Sequence, residues 1–305
     1  MYLHEDAVEL NQMVEATAMA IGQPAAHVIK DYYVTMMLRE VLSNNEQLVF
    51  KGGTALSKCY GLIERFSEDI DLGIEEPRAT QGQRKKVKRA IQDAAETLGL
   101  KIGNLDQTRS RRDFNRYELL LPEDYSGSVV TNVLLVETAM MTPITPTTER
   151  TVSSFIGDHL AEIGQEELVE RYSLAPFQVK VTSLERSFCD KVHAVCDYYL
   201  EKKDLAKPSR HIYDIHKLLG AVTLDAALRD LMDQVGLERR ASTLSCPSAQ
   251  EGVDLAEVLR AAVDEDAYRA GYGNTTMKLL NPGEDVSYEM AIESTNAVIR
   301  FLESK

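Results

Sequence analysis

The sequence predicts an α+β fold, a mixed sheet with flanking helices followed by a helical C-terminal domain. Three observations predict it. The apolar pair Val49-Phe50 runs into Lys51-Gly52-Gly53-Thr54 and then into a helical pattern with Leu56 and Tyr60 on one face, the order of strand, turn and helix. Asp69-Ile70-Asp71-Leu72 alternates polar and apolar residues, the period of a half-buried strand. Beyond Thr151, Leu, Val, Ala and Ile recur at helical spacing through Phe301. A chain of 305 residues has room for more than one core. The expected divisions are N-terminal helices over 1–46, a sheet core over 47–145, and a mainly helical segment over 146–305 that completes the active site.

Taken in order, the spacing predicts helices over Glu9–Ile21 and Ala25–Leu42, punctuated by Gly22 and Pro24. After the two motif strands, Val87, Ile91, Ala94, Ala95 and Leu98 mark an amphipathic helix over Arg84–Leu98. Arg116–Leu121 and Val129–Glu137 are β-rich runs joined by Pro122, Glu123, Asp124 and Gly127, which predicts a hairpin. Met140–Thr151, with two prolines and five threonines, is expected to be an extended linker or crossover. Helices are then expected over Asp158–Val169, Ser183–Tyr199, Ile212–Leu219, Leu224–Val235, Leu255–Ala262 and Tyr288–Leu302, with Leu237–Gly252 as a loop.

The opening Met1-Tyr2-Leu3-His4-Glu5-Asp6 is acidic where a signal peptide is basic, and no apolar stretch approaches bilayer length, so a cytoplasmic, membrane-free protein is expected. Its four cysteines lack metal-ligand spacing. The net charge of -14 argues against a protein that coats nucleic acid non-specifically, because such binding is driven by phosphate neutralisation. Basic islands at 84–89, at 109–112 and at Lys202, Lys203, Lys207 and Arg210 interrupt the acidity. Solvated faces are their ordinary reading, yet together they could form a funnel for one RNA end.

The chemistry is concentrated in the first two motifs. Gly52, Gly53 and Thr54 stand where backbone N–H groups at a helix start can face a phosphate. Asp69 and Asp71 share one face of their strand, and paired carboxylates beside such a turn suit divalent-metal phosphoryl chemistry. Neither Lys51 nor Lys58 stands at the Walker position, so the turn is not a P-loop. Glu137 ends the second hairpin strand and could join Asp69 and Asp71 as a third carboxylate if the strands are neighbours; capping or surface placement is the alternative. Lys191 lies near Phe188 and Val195 on a helix with Ser183 as its N-cap, and Asp214 lies one turn into the next.

The wording Lys51-Gly52-Gly53-Thr54-Ala55-Leu56-Ser57-Lys58 with Arg65-Phe66-Ser67-Glu68-Asp69-Ile70-Asp71-Leu72 resembles the polymerase β-like nucleotidyltransferase superfamily, in particular its AbiEii/AbiGii toxin branch, which includes the MenT-like toxins. Lys191 and Asp214 match that branch's later lysine and aspartate motifs, and Lys30-Asp31-Tyr32-Tyr33-Val34 is similar to a segment packed near its nucleotide pocket. One departure is His211, where relatives commonly carry an acidic residue.

The resemblance implies the polymerase β-like core and a transferase that moves an NMP from an NTP to an acceptor hydroxyl, with a tRNA 3′ end as the acceptor. It implies catalytic roles for Asp69, Asp71, Lys191 and Asp214 and nucleotide contacts from Lys51, Gly52, Gly53, Thr54, Lys58, Arg65 and Ser67. Mg²⁺ or Mn²⁺ would sit on Asp69 and Asp71, with Glu137 as a third ligand. It further implies the toxin of a type IV toxin–antitoxin system used in phage defence, with a separately encoded antitoxin. The alternatives are a transferase acting on a protein or a small molecule such as an antibiotic, and a catalytically silent nucleotide-binding regulator.

Overall fold

Val49 and Phe50 are both fully buried, as suits a strand covered on both faces, and they place β1 (Val49–Lys51) inside a seven-stranded mixed sheet. The computed structural model describes residues 1–76, 78–122, 132–242 and 245–304. Its other strands are β2 (Ile70–Ile74), β3 (Lys101–Ile102), β4 (Phe114–Leu120), β5 (Val133–Pro143), β6 (Thr147–Val152) and β7 (Phe177–Thr182). The sheet order is β3-β4-β5-β2-β1-β7-β6. β1 runs antiparallel to β2, with Phe50 opposite Leu72 and Lys51 opposite Asp71, and parallel to β7. The antiparallel pairing of β4 with β5 is the expected hairpin, while its joining residues Glu123, Asp124 and Gly127 lie outside the described residues.

The chain forms two compact units, and contacts rather than chain order define them. Unit 1 comprises Met1–Tyr60, Ser67–Met141 and Thr147–Val181; unit 2 comprises Gly61–Phe66, Thr142–Pro146 and Thr182–Lys305. The expected boundary after 145 therefore moves: residues 147–181 belong with the sheet because β6 and β7 are two of its strands. The linker expected over Met140–Thr151 is corrected to the end of β5 and the whole of β6, and β7 interrupts a region expected to be helical.

In unit 1, α1 (Ala7–Ile21) ends at Gly22, whose φ of 66° only glycine adopts without cost. α2 (Ala25–Asn44) buries residues all round, Val28, Tyr32, Met36 and Leu38 among them, so it is a core helix rather than an amphipathic surface one. It packs on α1, on α4 (Gln81–Thr97) and on α5 (Phe155–Glu162). α3 (Gly52–Lys58) follows β1 directly, and α6 (Glu166–Arg171) follows α5, so one expected helix over Asp158–Val169 is two.

Unit 2 is built round α7 (Leu184–Leu200), whose N-cap is Ser183 as expected: its hydroxyl accepts from the Arg186 N–H. α8 (Arg210–Leu219), α9 (Ala226–Arg240) and α10 (Leu255–Asp264) pack on it. α9 extends through Arg240 into the segment expected to be loop. Short helices α11 (Arg269–Gly271) and α12 (Met277–Leu279) flank a π-helical turn over Tyr272–Thr276, and α13 (Tyr288–Glu303) closes the unit against α8 and α10. Among the described residues no helix is long and apolar enough to cross a membrane. All four cysteines are free thiols, three of them buried.

Candidate active site

The strand–turn–helix at 49–58 is set by a steric fact at Gly52. Its φ is +80°, and a Cβ there would fall 2.0 Å from the Asp71 Oδ2 atom. Only a residue without a side chain lets the Asp71 carboxylate lie against the backbone where β1 becomes α3. Asp69 stands one residue before β2; Asp69 and Asp71 are half-buried while Ile70 and Leu72 are buried, so the two carboxylates share a face. The Thr54 hydroxyl is buried and lies 3.0 Å from the Ser67 hydroxyl, tying the start of α3 to the segment that leads into β2.

Two cations lie within electrostatic reach of Asp69. Lys30, 1% exposed on α2, places its ammonium 3.2 Å from the Glu68 carboxylate and donates to the Val133 carbonyl. Burial lowers its pKa, and Glu68 and Asp69 oppose that shift. Arg116 on β4 donates from Nε to Glu137 at 2.7 Å; although burial works against its charge, Glu137 and Asp69 outweigh that and raise its pKa. Glu137 thus lies on β5, next to β2 as its expected role required, but its carboxylate is held by Arg116. Among the described residues no three His, Cys, Asp or Glu side chains gather as round a metal ion. The donor set that fits a divalent cation is the Asp69–Asp71 pair, two hard carboxylates that leave coordination positions for water and phosphate oxygen.

Asp31, next to Lys30, faces a different group. It pairs with Lys58 in the last turn of α3 and accepts from the Phe155 N–H, while the Lys58 ammonium lies 5.5 Å from the Phe155 ring centre. Lys58 is therefore committed to an ion pair within unit 1. Elsewhere in unit 1 two basic islands meet: Arg84 pairs with Asp113 at 2.6 Å, and Lys88 donates to Thr108 at 3.0 Å, drawing 84–89 against 108–113.

Arg65, Lys191 and Asp214 come together in unit 2. The Asp214 carboxylate is 0% exposed and accepts from Arg65 Nε at 2.7 Å and Nη2 at 2.9 Å, a bidentate bond between residues 149 apart in sequence. Lys191 Nζ lies 2.7 Å from Asp214 Oδ2 and 3.2 Å from His211 Nδ1. Burial works to raise the Asp214 pKa; Arg65 and Lys191 outweigh it and hold the carboxyl well below the usual range. Both carboxylate oxygens are occupied, so the geometry suits Asp214 to orienting Lys191 rather than to removing a proton from an acceptor. Sequence reasoning placed Arg65 with the nucleotide-contacting residues and had no local signal for its pairing with Asp214.

His211 takes the place of the expected acidic neighbour, stacked on Tyr198 with ring centres 5.9 Å apart. Burial and Lys191 push its pKa down to about 3, so its neutral ring can accept from the Lys191 ammonium. His193, buried on α7 with Nδ1 2.9 Å from the Ser248 hydroxyl, is pushed down to about 4 by burial and Arg239. Unfolded imidazoles take up protons near pH 6.5, whereas these do so only at about 3 and 4. The unfolded chain therefore binds more protons in that window, and stability should fall as pH drops from 6.5 towards 4. Thermal midpoints at pH 7 and pH 5 check this: the midpoint is expected to be lower at pH 5, with a smaller difference in His193→Asn, and equal midpoints would refute it.

A family model described as nucleotidyl transferase AbiEii toxin, type IV TA system, matches residues 37–294, a span that contains both carboxylate-bearing clusters. No curated protein matches the chain.

Proposed function

The chain belongs to the AbiEii nucleotidyl transferase toxin family of type IV toxin–antitoxin systems, and from that premise we propose that it moves an NMP from an NTP to the hydroxyl of an RNA acceptor, a tRNA 3′ end. The observation that carries this reading is the seat of Asp71 against Gly52, with Asp69 on the same face of the strand. A turn of backbone N–H groups and two carboxylates are thereby held beside one another, the combination that nucleotidyl transfer uses.

In this reading Gly52, Gly53 and Thr54 hold the triphosphate, with Lys51 and Ser67 beside them. Asp69 and Asp71 would hold a divalent cation, Mg²⁺ or Mn²⁺. When bound, such an ion activates an acceptor hydroxyl and neutralises charge at the α-phosphorus. Lys30 and Arg116 offset the charge of Asp69. Lys191 neutralises phosphate charge as pyrophosphate leaves, and Asp214 sets its position. The antitoxin is a separate chain.

Incubation with each α-labelled NTP, Mg²⁺ and either total RNA or a protein extract tests the reading, which expects label in the RNA fraction. Label in protein or in a small molecule would replace the acceptor, a replacement that the net charge of -14 favours because RNA repels an acidic surface. Gly52→Ala is expected to lose as much transfer as Asp71→Ala, since the new methyl must displace the Asp71 carboxylate and φ of +80° strains any side chain. Near-normal labelling by Gly52→Ala would separate Asp71 from the chemistry.

A further inference from the structure

The segment over 276–284 carries no motif, yet its contacts converge on the stretch containing Arg65 and on the ends of α8, the helix that bears Asp214. At its centre it runs antiparallel to the short stretch containing Arg65. Arg65 and Leu280 form a β-bridge, the Phe66 N–H donates to the Leu279 carbonyl at 2.7 Å, and the Asn281 N–H donates to the Glu64 carbonyl at 2.9 Å. Its two ends are fastened to the two ends of α8. The Thr276 hydroxyl lies 2.7 Å from that of Ser209, the residue preceding α8, and both residues are fully buried. At the other end, Lys217 in the last turn of α8 reaches Glu284 at 3.3 Å and Glu64 at 3.4 Å.

The end of α11, just before the π-helical turn, is closely packed. A Cβ at Gly271 would come within 2.6 Å of the Leu205 carbonyl, in the stretch leading to Ser209. The Tyr213 hydroxyl, adjacent to Asp214, accepts from the Glu64 N–H at 2.9 Å and completes the enclosure of Glu64–Phe66 between α8 and this segment.

We infer that residues 276–284 are a positioning strap that fixes the Arg65 backbone against α8 and thereby sets where Asp214 holds the Lys191 ammonium. The strap touches no reacting group; it acts through Arg65 and Asp214. Its effect on transfer rests on the phosphate role proposed for Lys191, whereas its effect on the placement of Lys191 does not.

Asn281→Pro removes the strap N–H that donates to Glu64, and Leu280, at φ -64° and ψ 141°, already has the conformation that a following proline requires. Asn281→Ala keeps the N–H and is the control. A catalytic group misplaced by about 1 Å can cost on the order of 10²-fold in rate, so Asn281→Pro should lower kcat by about that factor while Asn281→Ala leaves it unchanged. In a Lys191→Ala background Asn281→Pro should add no further loss, whereas a merely structural role predicts additive losses.

A readout independent of activity is the rate at which an amine-reactive reagent labels Lys191, followed by peptide mass spectrometry. It should rise in Asn281→Pro and stay at the wild-type value in Asn281→Ala. Unchanged Lys191 labelling, or additive kinetic losses, would overturn the strap. The labelling pattern in a chain that transfers no nucleotide would uphold the strap and overturn the transferase reading. Should Asn281→Pro not fold, Lys217→Met cuts the tie to Glu64 and Glu284 and is read by the same two measurements.

Discussion

Asp69→Ala and Asp71→Ala should each abolish nucleotide transfer. With the cation-holding roles proposed for Asp69 and Asp71, removing either carboxylate should take away about 4 kcal/mol of transition-state stabilisation, equivalent to about 10³-fold in rate. The fold should not suffer. Both residues are half-buried, and neither is a core hydrophobe. Neighbouring carboxylates repel one another without a cation, so in chelator each variant should melt no lower than the wild-type chain. Steady-state rates with Mg²⁺ and unfolding midpoints in chelator make the comparison. Near-normal transfer by both variants would remove Asp69 and Asp71 from the chemistry.

Asp214→Ala should have the largest effect on stability. The substitution leaves Arg65, 2% exposed, and Lys191, 9% exposed, without the carboxylate that both share. Breaking a buried pair by deleting one partner costs about 3–5 kcal/mol, because the surviving charge is left uncompensated. Two cations survive here, so the upper end of that range is expected. Asp214→Asn should recover little, since an amide keeps the shape and loses the charge. Urea unfolding measures the difference, and a midpoint equal to that of the wild-type chain would show that the cluster contributes nothing to the stability of unit 2.

Local chemistry was legible in the sequence, and pairing over long distances was not. The strand and turn at 49–54 and the alternation at 69–72 announce themselves because each signal fits within about five residues. Ser183 declared its helix for the same reason. β7 also carried a period of two, with Val179 and Val181 buried and Lys180 between them, but six residues amid helical patterns were too few to read. β6 gave no signal, since Thr147, Thr148, Glu149, Arg150 and Thr151 are polar and its edge position asks for burial only at Val152. Arg65 shows the limit most plainly. The motif residues from Ser67 onward belong to unit 1, yet Arg65 itself belongs to unit 2, where its guanidinium meets a carboxylate 149 residues away in sequence. The last part of the chain was silent because its hold on Arg65 is through backbone groups, which every residue except proline possesses.

Parallel incubation of the chain, Mg²⁺ and RNA with α-labelled or γ-labelled NTP tests whether phosphorus moves as a nucleotidyl group. The proposed transfer requires label in RNA from the α-position alone, pyrophosphate released in equal amount, and neither product from Asp71→Ala. Incorporation of the γ-label, or the absence of RNA label from both positions while protein or a small molecule is labelled, would contradict it.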